Sequence, residues 1–280
     1  MTAIRHKLRS AAFYLARPSF WSHFWHRGLG YLQPDLDGPQ QRQEAASWAQ
    51  RQAEPFDKLL ARLGVTAAPD APISRMPAAI LESAHRRVSG AACRMGGAGH
   101  VDLIYAVTRL TRARNLLETG VAYGWSSLAF LTAAEENGDG RLVSVDRPYP
   151  GAGSADFVGI AVSAPLRRRW HIIREPDRNG LRKAAALFPD GVDIAHYDSD
   201  KTYRGRRFGY GMIWKALRPG GLFLSDDIQD NPAFAHFVEA AVASFGVKAF
   251  AGKFVGIAVK QRPPQAQGPG MPRRPLISSA

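Results

Sequence analysis

The stretch LLETGVAYGWSSLAFLTAAEENGDGRLVSVD, residues 116–146, decides the fold. NLLET, starting one residue earlier, is a short apolar run of strand length. Gly120 and Gly124 follow it, four residues apart. WSSLAFLTAAEEN then reads as a helix, with Ser126 or Ser127 near its start and Gly138 as the stop. RLVSVD is a second strand that ends in Asp146. A strand, a glycine turn, a helix and another strand make the unit from which open α/β sheets are built.

The same alternation continues toward the C-terminus. WHIIRE and VDIAHYD read as strands, YGMIWKAL as helix and GGLFLSDD as a fifth strand. FAHFVEAAVASFG reads as helix, and VKAFA with FVGIAVK as a closing hairpin. The expected fold is α/β, a Rossmann-like, doubly wound and mostly parallel sheet. On the N-terminal side, helices are expected over 40–63 (interrupted near Pro55), 77–88 and 100–113, from the spacing of their apolar residues. Residues 1–30 carry Arg5, Lys7, Arg9, Arg17 and Arg27 among Phe13, Tyr14, Phe20, Trp21, Phe24 and Trp25. Such a mixture suits an arm packed on the core or on a second subunit, or a membrane-surface segment. QRPPQAQGPGMPRRPLISSA has the composition of a disordered tail. The expected division is an N-terminal helical extension over 1–95, the α/β domain over 96–260 and a tail over 261–280.

Of 280 residues, 45% are hydrophobic, enough for a real core. The one cysteine, Cys93, excludes an internal disulfide and a cysteine-rich metal site. No apolar run approaches the length needed to span a bilayer, and the N-terminus lacks a clean signal-peptide cleavage site. The expected location is the cytoplasm, with peripheral membrane contact through the arm. The net charge of +13 favours anionic partners, but no nucleic-acid motif accompanies it.

In a doubly wound sheet, ligands bind at the carboxyl ends of the strands, so the first glycine turn is the first place to look. Its spacing is G-x-x-x-G, not G-x-G-x-x-G, and Gly124 is followed by Trp125 rather than by Lys-Ser or Lys-Thr. Neither phosphate-binding fingerprint fits. What remains is a turn that would let a ligand lie against bare backbone, with Glu118 beside it and Asp146 placed to accept two ribose hydroxyls. A ligand with a ribose, a cationic part and no pyrophosphate meets these demands, and S-adenosylmethionine is such a ligand.

These residues also carry a resemblance. The stretch 116–146 resembles the cofactor half of class I S-adenosylmethionine-dependent methyltransferases. It is most similar to a bacterial subgroup with E-T-G-x-x-x-G-x-S-S followed by G-x-L-x-S-[IV]-D. DIAHYDSDKTYRGRRFGYGMIWKALRPGGLFLSDDIQDNPAFAHF resembles the second half, with D-S-D-[HK]-x-Y, R-P-G-G and D-D motifs. Together they cover roughly residues 100–260. The resemblance implies a seven-stranded sheet ending in a reversed hairpin. It implies cofactor contacts at Glu118, Gly120, Gly124, Ser126, Asp146 and Asp198. The family's G-D-[ST] motif is replaced by REPDRNGL.

Asp198 and Asp200 end the fourth strand, and Asp226 and Asp227 the fifth. Carboxylates converging at one crevice repel unless a cation sits among them or some are protonated, and oxygen ligands suit Mg²⁺, Mn²⁺ or Ca²⁺. The pattern resembles metal-dependent O-methyltransferases acting on catechol-like phenols. By that resemblance Asp198, Asp226 and Asp227 hold Mg²⁺ (or Mn²⁺) and Lys201 is the base. His196 is read as structural, and no histidine pair suited to iron chemistry is apparent near Asp198 or Asp226. The expected function is methyl transfer to a hydroxyl oxygen of a small molecule, a sugar or secondary metabolite, in a homo-oligomer built through the N-terminal helices. The alternatives are an RNA methyltransferase and a non-catalytic, membrane-associated scaffold that keeps the fold.

Overall fold

A computed structural model describes residues 13–14, 16–21, 36–65, 75–148, 154–241 and 244–261. The tail from 262 onward, and most of the basic aromatic arm, lie outside the described residues. Seven strands form one sheet: β1 (Asn115–Thr119), β2 (Arg141–Val145), β3 (Trp170–Ile173), β4 (Val192–Tyr197), β5 (Leu217–Ser225), β6 (Ser244–Phe250) and β7 (Lys253–Val259). Their order is β3-β2-β1-β4-β5-β7-β6. The first five run parallel, and β7 is antiparallel to both β5 and β6.

Eight α-helices accompany the sheet among the described residues. They are α1 (Pro39–Gln52), α2 (Phe56–Arg62), α3 (Ala78–Ser89), α4 (Val101–Thr111), α5 (Trp125–Glu136), α6 (Asp177–Ala186), α7 (Tyr203–Ala216) and α8 (Ala233–Ala241). Because strand side chains alternate, β1 sends Leu116 to one apolar layer and Leu117 to the other. The first layer holds α2 to α5, and the second holds α1 and α6 to α8. Pro55 splits the helix expected over 40–63, and Pro39 starts it.

The N-terminal helices complete the sheet. The backbone N–H of Glu54 donates to Val247 O on β6 at 3.1 Å. Trp48 of α1 stacks on Phe245 with ring centroids 5.7 Å apart. Among the described residues, no helix is long and apolar enough to cross a membrane.

Register then sets out the site. Thr119 pairs with Val145 and with Tyr197, and Tyr197 pairs with Ser225. The residues that follow emerge side by side. The N–H of Gly120 donates to Val145 O (2.9 Å), that of Asp146 to Ile173 O (3.0 Å), that of Asp198 to Thr119 O (2.9 Å) and that of Asp226 to Tyr197 O (3.1 Å). Arg174, Asp146, Gly120, Asp198 and Asp226 therefore follow one another across five neighbouring strand ends.

Candidate active site

The turn after β1 holds Gly120, Ala122 and Gly124 at φ of 80°, 46° and 84°. The glycines were expected to leave room for a ligand. Their missing side chains are instead filled by the chain itself. A Cβ on Gly120 would lie 1.9 Å from the backbone oxygen of Asp198, and one on Gly124 would lie 2.9 Å from Gly159 Cα. The glycines bring the turn down onto β4 and onto the 159–162 segment.

Glu118, expected beside a cationic ligand, is fully buried. Ser126 donates to its Oε1, and Ser127 (2.6 Å) and Ser144 (2.7 Å) donate to its Oε2. The carboxylate thus ties α5 to β1 and β2. Burial pushes its pKa up, outweighing the His196 charge and the three hydroxyls that pull it down. With Ser126 and Ser127 so engaged, Gly124 stands at the head of α5 and no side chain caps the helix. The first-turn N–H groups are left without a side-chain acceptor. Beside them Trp125, only 6% exposed, carries an indole Nε1 without a partner.

Asp146 is where the sequence placed it. Its Oδ1 accepts from the Val121 N–H at 3.0 Å and its Oδ2 from Arg174 Nη1 at 2.7 Å. Burial raises its pKa despite these partners. Beyond it, Ser199 bridges Thr119 Oγ1 (3.1 Å) and the Asp177 carboxylate. Asp177 lies in the REPDRNGL segment.

Asp198, Asp226 and Asp227 do converge, and each meets a cation. Lys201 Nζ lies 2.9 Å from Asp198 Oδ1 and also contacts Asp227 Oδ2. Lys253 Nζ lies 3.0 Å from Asp227 Oδ1, and His196 Nε2 lies 3.3 Å from Asp226 Oδ1. Burial lowers the Lys201 pKa, but Asp198 and Asp227 more than reverse this and hold it well above the ordinary lysine range. Lys201, expected as the base, is therefore an ammonium ion fixed between two carboxylates. Burial disfavours the charged His196 ring, but Asp226, with Asp198 and Glu118, pushes its pKa up to about 9. Asp227 is brought down to about 2, its two lysines outweighing burial. Burial and the neighbouring Asp226 raise Asp198, against the pull of Lys201 and His196.

The alternation along β4 holds: His196 faces the first apolar layer near Phe130, and Tyr197 the second. His196 nonetheless belongs to the cluster. His100, at the head of α4, is a second histidine in the field of Asp226, and the neighbouring Gly99 would carry a Cβ 3.6 Å from Asp226 Oδ2. The sequence reading missed this pairing because β4 and α4 are far apart in the chain. Asp200 has a local role: its Oδ1 accepts from the Thr202 N–H (3.1 Å) and hydroxyl (2.8 Å). Buried Arg206 supports Asp227 by donating to its backbone oxygen at 2.9 Å.

A divalent ion fits this cluster poorly. Asp198 Oδ1 and Asp226 Oδ1 have no hydrogen bond of good direction, which by itself would favour a metal. However, three carboxylates already face three cations, and both oxygens of Asp227 are taken. An ion bound by the same oxygens would lie within about 4 Å of the Lys201 ammonium, with repulsion on the order of 8 kcal/mol at an effective dielectric constant of 20. No group of three or more His, Cys, Asp or Glu among the described residues is arranged to hold a metal.

Several participants carried no sequence signal. Lys253 arrives from the antiparallel β7, and only the pairing of Ser225 with Gly256 sets it beyond the end of β5. Asn231 donates to Lys201 O (2.8 Å) and to Asp37 Oδ1 (2.7 Å), and Asp37 also accepts from the first N–H of α7 (2.7 Å). Through Asp37 the N-terminal extension touches the loop that carries Lys201.

Residues 117–228 match the family model described as a methyltransferase domain, which is less than half of the chain. No curated protein matches the sequence. An O-methyltransferase from Bacillus cereus in complex with SAH superposes with a TM-score of 0.50 at 16% identity, covering 76% of this chain and 100% of that one. The SAH-bound Podospora anserina methyltransferase PaMTH1 gives 0.50 at 14% identity, covering 74% and 98%. At these identities the likeness is one of fold: a seven-stranded, Rossmann-like methyltransferase fold with N-terminal helices.

Proposed function

We propose that the chain is an S-adenosylmethionine-dependent methyltransferase that methylates a hydroxyl oxygen of a small molecule. One observation carries the reading. A methyltransferase fold places Asp146, the β1 turn, Asp198 and Asp226 on adjacent strand ends, where open α/β sheets bind ligands. The donor and acceptor set fits the cofactor at both ends. Asp146, steadied by Arg174, would accept ribose hydroxyls. The uncapped start of α5 and the unpartnered Trp125 Nε1 would take a carboxylate. When bound, this cofactor supplies a methyl carbon activated by a positively charged sulfur.

The chain's own part is to hold the acceptor oxygen and to receive its proton. The Lys201 ammonium, held by Asp198 and Asp227, would donate to the acceptor oxygen and fix its line of approach. Lys201 in this state cannot also accept the proton. Asp198 has the most open side chain of the three carboxylates, at 36% exposed. Its raised pKa suits it to the task. The acceptor is proposed to be a sugar or a secondary metabolite.

Calorimetric titration with S-adenosylmethionine tests the reading. Asp146→Ala should weaken binding by tenfold or more. Asp198→Asn should change affinity less than about threefold, while lowering turnover against a panel of hydroxylated small molecules by about a hundredfold, the scale of general-base catalysis. Unchanged affinity in Asp146→Ala would refute the cofactor assignment.

A further inference from the structure

We infer that this chain fills the cation place at its carboxylate cluster with its own ammonium groups, Lys201 and Lys253, in place of a divalent metal ion. The inference deepens the proposed function and rests on its reading of the site. Asp198 and Asp226 leave neighbouring strand ends, and Asp227 follows with a left-handed backbone at φ 52°. Such a convergence is stabilised by positive charge. Lys201 Nζ bridges the first and third carboxylates, at 2.9 Å from Asp198. Lys253 Nζ takes the remaining oxygen of Asp227 at 3.0 Å. His196 serves Asp226 from within the core.

The two lysines reach the cluster by independent routes. Lys201 comes from the loop between β4 and α7, where Asn231 fixes its backbone oxygen at 2.8 Å. Lys253 opens β7, and its side chain is 62% exposed except where it meets Asp227. A side chain that could lie in solvent is thus turned onto a carboxylate already facing Lys201. Asp227, at 9% exposed, is better placed to organise these ammonium groups than to face an acceptor. The division of labour follows: Asp227 anchors the cations, Asp198 and Lys201 face the acceptor, and Asp226 is held by His196.

Titration with Mn²⁺ alone, followed by the loss of the free-ion electron paramagnetic resonance signal, tests this on the full chain. Wild type and Asp226→Asn should give the same curve. Lys201→Met combined with Lys253→Met should bind Mn²⁺ at least tenfold more tightly than wild type, and adding Asp226→Asn should abolish the gain. Lys253→Met alone alters an exposed side chain and should show part of the gain if the double variant does not fold. Wild type holding one Mn²⁺ that Asp226→Asn releases would overturn the inference. So would lysine variants that fold and gain no site. S-adenosylmethionine titration of the wild type, made without added metal, reports separately on the proposed function.

Discussion

At the residue scale, His196 shows how a buried ring can be kept charged. Burial alone would hold it neutral, but Asp226 at 3.3 Å and the carboxylates of Asp198 and Glu118 push its pKa up to about 9. The unfolded value is about 6.5. A group raised on folding contributes stability that is fully present below its unfolded pKa and lost as pH rises through its folded one. The contribution is about 3 kcal/mol below pH 6.5 and fades by about pH 9. His196→Gln should therefore be markedly less stable than wild type at pH 6, with the two curves converging by pH 10. Urea denaturation at a series of pH values measures this, and a gap that stays constant with pH would refute the charged ring. No such role for His196 was legible in the sequence, because simple alternation says which face a side chain takes and not what approaches it. Asp146 was legible because its partner turn lies on the adjoining strand within the same short unit. Lys201 could be singled out from its spacing after Asp198, but its protonation depends on Asp227, which follows another strand.

At the element scale, the strand, helix and hairpin pattern was open to reading because each element repeats with its own period and stops at glycine or proline. The β1 turn was half legible. Its position followed from the pattern, but its glycines answer to residues distant in sequence. Gly120 sits at φ 80° with the Asp198 carbonyl oxygen in its Cβ space. Gly120→Ala would meet both a left-handed backbone, costing about 1–2 kcal/mol, and a contact that forces β1 and β4 apart at their ends. A loss of more than about 2 kcal/mol is expected, together with weakened cofactor binding. Thermal denaturation beside calorimetry checks this. A variant with unchanged melting temperature and lost binding would mean that the ligand, rather than Asp198, needs the bare backbone.

At the scale of the whole molecule, the question is whether the N-terminal helices are an appendage. The sequence set residues 1–95 apart because no motif covers them. Part of that segment nonetheless serves both faces of the sheet. Ala45 and Ala49 of α1, Leu59 and Leu60 of α2, and Leu63 and Val65 just after it are buried. Leu59 and Leu60 belong to one apolar layer and Ala49 to the other. A Cβ on Gly246 of β6 would lie 2.0 Å from Leu59 Cδ1, so the edge strand is shaped to receive α2. Fully burying each large aliphatic side chain contributes about 1.5–3 kcal/mol. Four of them amount to roughly 6–12 kcal/mol, as large as the whole stability of a typical domain at about 5–15 kcal/mol. Deleting residues 1–65 should therefore yield a chain that does not fold to a cooperative, cofactor-binding state, although residues 117–228 alone carry the methyltransferase match. The measurement is a melting curve with and without S-adenosylmethionine. A truncated chain that melts as wild type does and still responds to the cofactor would make these helices a dispensable attachment, and would locate the stability of the fold entirely within the sheet and its six later helices.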